Sequence, residues 1–172
     1  MNPSPVQTAP LEPPDSHHLS AAEGWLELGN PAEAIAELTR IAPEQQAHPA
    51  VLELNWQILA HTKQWAYCLE LAARMVSLHP GLPAGWIHRS YTLHELHRTA
   101  EARDQLLPAR TRFPNEVVIL YNLACYECRL GNLPAARKWL QQAFARPNTQ
   151  LWRVAAHNDP DLAELRTEVD KL

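Results

Sequence analysis

A spacing of 34 residues recurs through this sequence, and it constrains the fold more than any other feature. Small residues follow one another at this spacing, and an apolar residue comes four and again seven positions after each of them. Repeats of this length are typical of proteins in which each unit buries its apolar face only against its neighbours. The spacing therefore predicts a tandem-repeat architecture. The positions concerned are Ala34, Leu38, Ile41, Cys68, Ala72, Met75, Ala102, Leu106, Ala109, Ala136, Leu140 and Ala143.

Glycine and proline divide each repeat into two helices. In Gly29-Asn30-Pro31, glycine suits the left-handed position after a helix, and asparagine followed by proline suits the start of the next one. Gly131-Asn132-Leu133-Pro134 repeats this pattern. Strands are not predicted, because alternating runs rich in Val, Ile and Thr are absent from the sequence. The predicted helices cover about residues 16–28, 31–42, 49–61, 64–79, 83–96, 99–112, 115–130, 133–145, a short stretch near 151–155 and a last one after 160.

Proline content and the end of the period mark the predicted domain boundaries. Residues 1–15 carry five prolines and are predicted to be a disordered tail, since proline fixes φ and lacks the amide N–H. Residues 16–148 are predicted to form four repeats, and residues 149–172 to form C-terminal capping helices with Leu162, Leu165, Val169 and Leu172 on one stripe. Asn115 and Asp159 are predicted to cap the helices that come after them. The four repeats cover about 16–46, 49–80, 83–114 and 117–147.

Composition excludes several classes of protein. The net charge is -4 with a pI of about 6.1, so the chain lacks the basic excess that neutralises nucleic-acid phosphates. No run of about 18 apolar residues and no basic-then-apolar leader is visible, so we expect neither a membrane span nor a signal peptide. The three cysteines do not form a disulfide framework. The sequence therefore predicts a cytoplasmic protein without a nucleic-acid or membrane partner.

The repeats resemble the tetratricopeptide (TPR) family, whose pattern places Trp, Leu-Gly, Tyr, Ala, Phe and Pro at fixed offsets. Trp86 stands at the tryptophan position, Leu123-Ala124 at the Leu-Gly pair, and Pro80 and Pro114 at the closing proline. The resemblance covers roughly residues 15–148. It implies an all-α, right-handed solenoid of TPR helix hairpins closed by a C-terminal capping helix.

The resemblance also implies a function. In this family the first helix of each pair lines a concave groove that binds peptides, so we expect a non-catalytic interaction module that holds a segment of another protein. No catalytic residue, metal ligand or cofactor is predicted. The residues expected to line the groove are Glu53, Gln57, His61, Ile87, His88, Tyr91, His94, Tyr121, Asn122, Cys125 and Arg129.

Other interpretations stay open at this point. A secretion chaperone for a translocator protein has a similar small acidic repeat chain, and self-association as a homodimer is a further alternative. Cys125 and Cys128 lie at i and i+3 on one predicted helix, where they could bind zinc together with His94 or react as thiols. Two small packing residues are the competing interpretation of that pair.

Three residues depart from the family pattern. Asn55 and Arg89 stand where Leu is usual, and Glu127 stands where Tyr is usual, in the repeat next to that of Arg89. A buried polar group without a partner costs about 1–3 kcal/mol. We therefore predict either an ion pair between Arg89 and Glu127 or separate extension of both side chains to water.

Overall fold

The computed structural model describes residues 9–147 and 149–172 of the chain. These residues are helical or irregular, and none of them forms a β-strand. They belong to two compact units, of which one ends at His88 and the other begins at Arg89. We call them the N-terminal unit and the C-terminal unit. Most of the predicted disordered tail, residues 1–8, lies outside the described residues.

The N-terminal unit consists of successive helices that pack on their neighbours in the chain. They are α1 (Asp15–Glu27), α2 (Pro31–Leu38), α3 (Pro49–His61), α4 (Trp65–Leu78) and, up to His88, α5 (Pro83–Glu95), with a short 3₁₀ turn at Pro43–Gln45. Helix α1 packs on α2, both pack on α3, and α3 packs on α4. Leu38, Val51 and Ile58 belong to a buried cluster between α1, α2 and α3, while Trp56 and Met75 belong to a second one between α3 and α4.

The C-terminal unit is centred on α7 (Val117–Arg129), which packs against α6 (Thr99–Arg112), α8 (Leu133–Phe144) and the end of the chain. It also contains the rest of α5, from Arg89 onward, and α9 (Gln150–Asn158). A 3₁₀ helix at Pro160–Lys171 comes after α9. We call Asp159–Leu172 the C-terminal segment.

Three of the four residues of the predicted stripe in the C-terminal segment are confirmed as a buried face, and the fourth, Leu172, is half-buried. Leu162, Leu165 and Val169 are all fully buried, and the segment contacts α7, α8 and α9. Arg137 on α8 donates two hydrogen bonds to Glu168, from Nε at 2.6 Å and from Nη2 at 2.8 Å. The segment is therefore held on the unit by both apolar burial and charge.

The repeat spacing reappears in the backbone of the turns between paired helices. Gly29, Lys63, His97 and Gly131 all have positive φ, at 74°, 54°, 60° and 77°. At each turn the amide of this residue donates to the carbonyl three residues earlier, and the next amide donates to the carbonyl five residues earlier, at 2.8–2.9 Å. This is the Schellman arrangement, which satisfies carbonyls left open at a helix end.

Burial follows the same spacing. The residues that recur at 34-residue intervals in the sequence are all buried, and none of them is more than 5% exposed. A small residue on one helix allows the neighbouring helix to approach closely, which accounts for Ala or Cys at the first position of each set. The prediction that these positions pack between helices is confirmed.

Helix ends differ from the predictions in three places. The Asn30 side chain caps α2 by accepting from the amide of Glu33 at 3.4 Å, as predicted, but α2 already ends at Leu38 rather than near residue 42. Asn115 does not cap α7, which begins at Val117, and no side chain caps that end. The Asp159 cap is confirmed, although the helix that it caps is 3₁₀ rather than α.

The described part of the predicted tail is in contact with the N-terminal unit. Leu11 packs against the cluster between α1, α2 and α3. Nε2 of His48 lies 3.0 Å from the carbonyl oxygen of Ala9, and the amide of Ala50 donates to Nδ1 of the same ring at 3.2 Å. Because Nδ1 accepts, Nε2 carries the proton and donates to Ala9.

Within the described residues, no helix has both the length and the apolar character needed to cross a lipid bilayer.

Candidate functional site

Helix α3 presents the residues expected to line a binding surface in the N-terminal unit. Glu53, Gln57 and His61 are spaced at i, i+4 and i+8, which places them on one side of the helix. Glu53 is half-buried, whereas Gln57 and His61 are exposed. The opposite side of α3 carries buried Val51 and Ile58 and anchors the helix in the core.

Glu53 is the centre of a small hydrogen-bond cluster. Its Oε1 accepts from Nε2 of Gln57 at 3.2 Å and from Nε2 of His88 at 2.7 Å. Burial is the largest single influence on the pKa of Glu53 and raises it, but the hydrogen bond and charge of His88, with the hydrogen bond of Gln57, outweigh it and lower the pKa overall. Glu53 is therefore a carboxylate at neutral pH.

A cavity of about 220 Å³ adjoins Glu53 in the N-terminal unit. Its wall is mostly apolar, and Glu53 and His79 are its polar members. Nε2 of His79 donates to the carbonyl oxygen of Ala47 at 2.7 Å, which leaves Nδ1 as an acceptor in the neutral ring. An apolar cavity edged by acceptors suits one side chain with a cationic or hydrogen-bond-donating end. The lining residues are Pro49, Ala50, Glu53, Met75, His79, Leu82, Ala84 and Gly85.

In the C-terminal unit, two of the predicted binding residues of α7, Tyr121 and Cys125, are covered by the chain itself, whereas Arg129 is exposed. Tyr121 and Cys125 are only 6% and 5% exposed. The hydroxyl of Tyr121 donates to Oδ2 of Asp159 at 2.9 Å, and the thiol of Cys125 lies 3.5 Å from the same oxygen. Burial, together with the charges of Asp159 and Asp161, raises the pKa of Cys125 well above its ordinary value. The part of α7 around Tyr121 and Cys125 is therefore occupied by Asp159.

His94 on α5 and Arg129 at the end of α7 converge on Asp161. Nε2 of His94 donates to Oδ2 of Asp161 at 2.9 Å, and Nε of Arg129 lies 3.5 Å from Oδ1. Nδ1 of the same imidazole lies 3.0 Å from the hydroxyl of Thr99. The two predicted binding residues thus share one carboxylate of the C-terminal segment.

Three further predicted binding residues are less deeply buried than Tyr121 and Cys125. Tyr91 is 39% exposed, and burial together with the neighbouring Glu95 raises its pKa to about 12, so the phenol is neutral under ordinary conditions. Ile87 and Asn122 are half-buried. A binding role for all of these residues stays a prediction.

Sequence reasoning missed the importance of Asp159 and Asp161 as partners of α5 and α7. It identified Asp159 only as a helix cap, and that role uses Oδ1, which accepts from the amide of Asp161 at 2.9 Å. The other oxygen makes the contact with Tyr121. Two acidic residues flanking a proline gave a local turn signal, and nothing in that signal pointed to α7.

The alternative of a metal or thiol site concerns Cys125 and Cys128. Both are buried free thiols, and burial also raises the pKa of Cys128. A raised pKa keeps a thiol protonated and unreactive. Across residues 9–147 and 149–172, no group of three or more His, Cys, Asp or Glu side chains is arranged to hold a metal ion.

Arg89 and Glu127 have identified partners in the C-terminal unit. Nη2 of Arg89 donates to the carbonyl oxygen of Gln105 at 3.4 Å. Oε2 of Glu127 accepts from Nδ2 of Asn132 at 3.0 Å and lies 4.0 Å from Nη1 of Arg103. A direct pair between Arg89 and Glu127 stays a prediction.

No protein-family model matches this sequence, and a search of curated proteins found no match either. Any family assignment therefore rests on the residues and contacts described above.

Proposed function

We propose that this chain is a TPR-type interaction module that binds a peptide segment of another protein and catalyses no reaction. In this proposal its helix pairs form a right-handed solenoid, closed by the C-terminal residues, and the first helix of each pair contributes to peptide binding. The observation that carries the proposal is the shared 34-residue spacing of the buried positions and of the positive-φ turns. Family members with this spacing use it to display successive helices to a ligand.

The surface of α3 supports a binding role in the N-terminal unit. Gln57 and His61 are exposed there next to a half-buried, ionised Glu53, and the adjoining cavity can receive one side chain. Protein interfaces combine an anchor pocket of this kind with directed polar groups around it. We therefore expect the bound segment to place a side chain with a cationic or donor end beside Glu53.

The experiment is affinity capture with the full chain and matched variants. The test variant combines Gln57→Ala, His61→Ala and Tyr91→Ala, which change exposed side chains on α3 and α5. The control is Tyr67→Ala on α4, which removes a tyrosine that is 60% exposed. Tyr121 is not a suitable target, because it is buried and its loss would disturb the fold.

We expect the unmodified chain and the Tyr67 variant to enrich the same proteins from native lysate, measured by quantitative mass spectrometry. The test variant should enrich them at least tenfold less while it keeps the same circular dichroism. Equal enrichment by all three proteins would refute the assignment of the surface.

A further inference from the structure

The C-terminal segment lies on the part of the C-terminal unit where peptide contacts were predicted. Its apolar residues Leu162, Leu165 and Val169 are fully buried. Its first residues place Asp159 against Tyr121 and Cys125, both on α7. The chain itself thus shows which chemistry this surface accepts.

The surface binds both aspartates through complementary groups. Asp159 accepts a hydrogen bond from a neutral hydroxyl, that of Tyr121, at 2.9 Å. Asp161 meets His94 at 2.9 Å and the guanidinium of Arg129 at 3.5 Å. Hydrogen bonds to a carboxylate are stronger than those between neutral groups, and they distinguish a carboxylate from its amide. The surface therefore selects two carboxylates spaced two residues apart.

The C-terminal segment depends on this surface for its order. All but its first and last residues form a 3₁₀ helix of 12 residues, Pro160–Lys171. Runs of 3₁₀ helix longer than three or four residues are uncommon, because their hydrogen bonds have poorer geometry than those of an α-helix. Such a segment is stabilised by its docking contacts more than by its own backbone.

We propose that the surface formed by His94, Tyr121, Cys125 and Arg129 is a receptor for an acidic segment of a partner protein. That segment has two aspartates separated by one residue, with apolar residues after them. The chain's own C-terminal segment is the resident occupant, and the partner's segment displaces it. This inference rests on the proposed function, because it names the chemistry of the peptide that one part of the module binds.

The test uses a fluorescent synthetic peptide that copies residues 157–170 of the chain, and a second peptide with asparagine in place of both aspartates at positions 159 and 161. The full-chain variant Asp159→Asn/Asp161→Asn weakens the binding of the resident C-terminal segment to this surface. The matched control Asp170→Asn removes one charge from the same segment at an exposed position, where the carboxylate lies 2.8 Å from half-buried His157.

We expect the acidic peptide to bind the double variant at least tenfold more tightly than it binds the unmodified chain or the Asp170 variant. The resident segment competes at an effective concentration of the order of millimolar, and the double variant weakens that competitor. The amide peptide should bind the double variant at least tenfold more weakly than the acidic one. Equal binding of the two peptides, or no binding up to about 1 mM, would overturn the proposal.

A second measurement uses the unmodified chain, so it does not depend on how the variant folds. Adding the unlabelled acidic peptide to ¹⁵N-labelled protein should accelerate hydrogen exchange of amides in Pro160–Lys171 at least tenfold, while amides of α7 keep their protection. Unchanged exchange at every peptide concentration would overturn the proposal. So would a dimer in light scattering that forms by exchange of the C-terminal segment between two copies.

The two proposals can fail separately. If lysate proteins are captured and lost with the α3 and α5 variant while neither peptide binds the double variant, the interaction module stands and the acidic receptor does not. If the acidic peptide binds as expected while the unmodified chain, the α3 and α5 variant and the Tyr67 variant enrich the same lysate proteins equally, the receptor stands and the assignment of the α3 surface does not.

Discussion

The imidazole of His88 lies nearly parallel to the indole of Trp56, with ring centroids 3.8 Å apart and an interplanar angle of 12°. Trp56 is only 7% exposed, so the stack fixes the orientation of His88 against the core. The same ring donates to Glu53 at 2.7 Å. A buried aromatic residue thus positions a predicted binding residue, which in turn holds the carboxylate beside the cavity.

Replacing His88 by alanine should lower stability and raise the pKa of Glu53. The change removes the stack and leaves a half-buried carboxylate without the hydrogen bond and charge that lower its pKa. We expect the free energy of unfolding to fall by about 1–3 kcal/mol in chemical denaturation. His61→Ala, which changes an exposed histidine on α3, should alter it by less than about 0.5 kcal/mol. A Glu53 titration by NMR that is unchanged in the His88 variant would contradict this account.

The stability that ionised Glu53 contributes should depend on pH in a defined direction. Because its pKa is lower in the folded chain than in the unfolded one, the contribution is fully present above the unfolded value of about 4.3 and is lost as the pH falls through the folded value. Glu53→Gln should therefore be less stable than the unmodified chain at pH 7, and the difference should shrink on acidification. In the His88→Ala background, Glu53→Gln should give a smaller pH-dependent difference in stability. An equal difference in the two backgrounds would argue against the interaction between Glu53 and His88.

Gly85 should not tolerate a methyl group. A Cβ at this position in α5 would lie 2.8 Å from the amide nitrogen of Val76 and 2.9 Å from Cβ of Met75, so α4 and α5 would have to separate. We expect Gly85→Ala to lower the free energy of unfolding by about 1–3 kcal/mol. Gly24 in α1 has no atom within 4 Å of its Cβ position, and Gly24→Ala should raise stability by about 0.5–1 kcal/mol. Similar effects from the two substitutions would show that close packing at Gly85 is not the cause.

Thiol labelling should report the contact between Cys125 and Asp159. In the unmodified chain Cys125 is buried and its pKa is raised, first by burial and then by the charges of Asp159 and Asp161, so alkylation at neutral pH should be slow. Asp159→Asn/Asp161→Asn removes both charges and should accelerate alkylation of Cys125 at least several-fold. Cys68, whose pKa burial raises to about 11, lies in the N-terminal unit and serves as the internal control. Mass spectrometry of the labelled peptides should show the largest acceleration at Cys125, a smaller one at Cys128, whose pKa Asp161 also raises, and none at Cys68.

The helices and the buried positions could be predicted because their signals are local. Apolar residues at helical spacing, glycine after a helix and proline before the next determine where a helix begins, ends and faces. The end of α2 was missed because Thr39 and Arg40 carry no breaker signal, although the amide of Ala42 is already bonded to Asp15, 27 residues earlier. A contact that distant has no trace in the local pattern.

The contacts of the C-terminal segment could not be predicted for the same reason. Tyr121 and Asp159 are 38 residues apart in sequence, and His94 and Asp161 are 67 residues apart. The family resemblance assigned the residues of α5 and α7 to ligand binding, and it contains no information on the residues beyond the last repeat. The side chains expected to contact a partner were therefore named, but their resident occupant was not.

One missed feature was nevertheless encoded in the spacing. Gly29 and Gly131 were recognised as turn residues, and counting 34 positions from Gly29 leads to Lys63 and then to His97, which adopt the same positive φ. Lysine does not suggest a left-handed conformation, which costs an L-residue about 1–2 kcal/mol, and histidine suggests it only weakly. Both side chains are exposed, so they can be replaced without loss of packing.

Lys63→Gly should therefore stabilise the chain. Glycine adopts positive φ without the steric cost, and part of the gain is offset by its greater freedom in the unfolded state. We expect the free energy of unfolding to rise by about 0.5–1 kcal/mol, and His97→Gly should behave alike. Lys63→Ala removes the same side chain but keeps the backbone strain, so it should bring no comparable gain. If alanine and glycine at position 63 gave equal stability in urea denaturation, the strain at this turn would not be the cause.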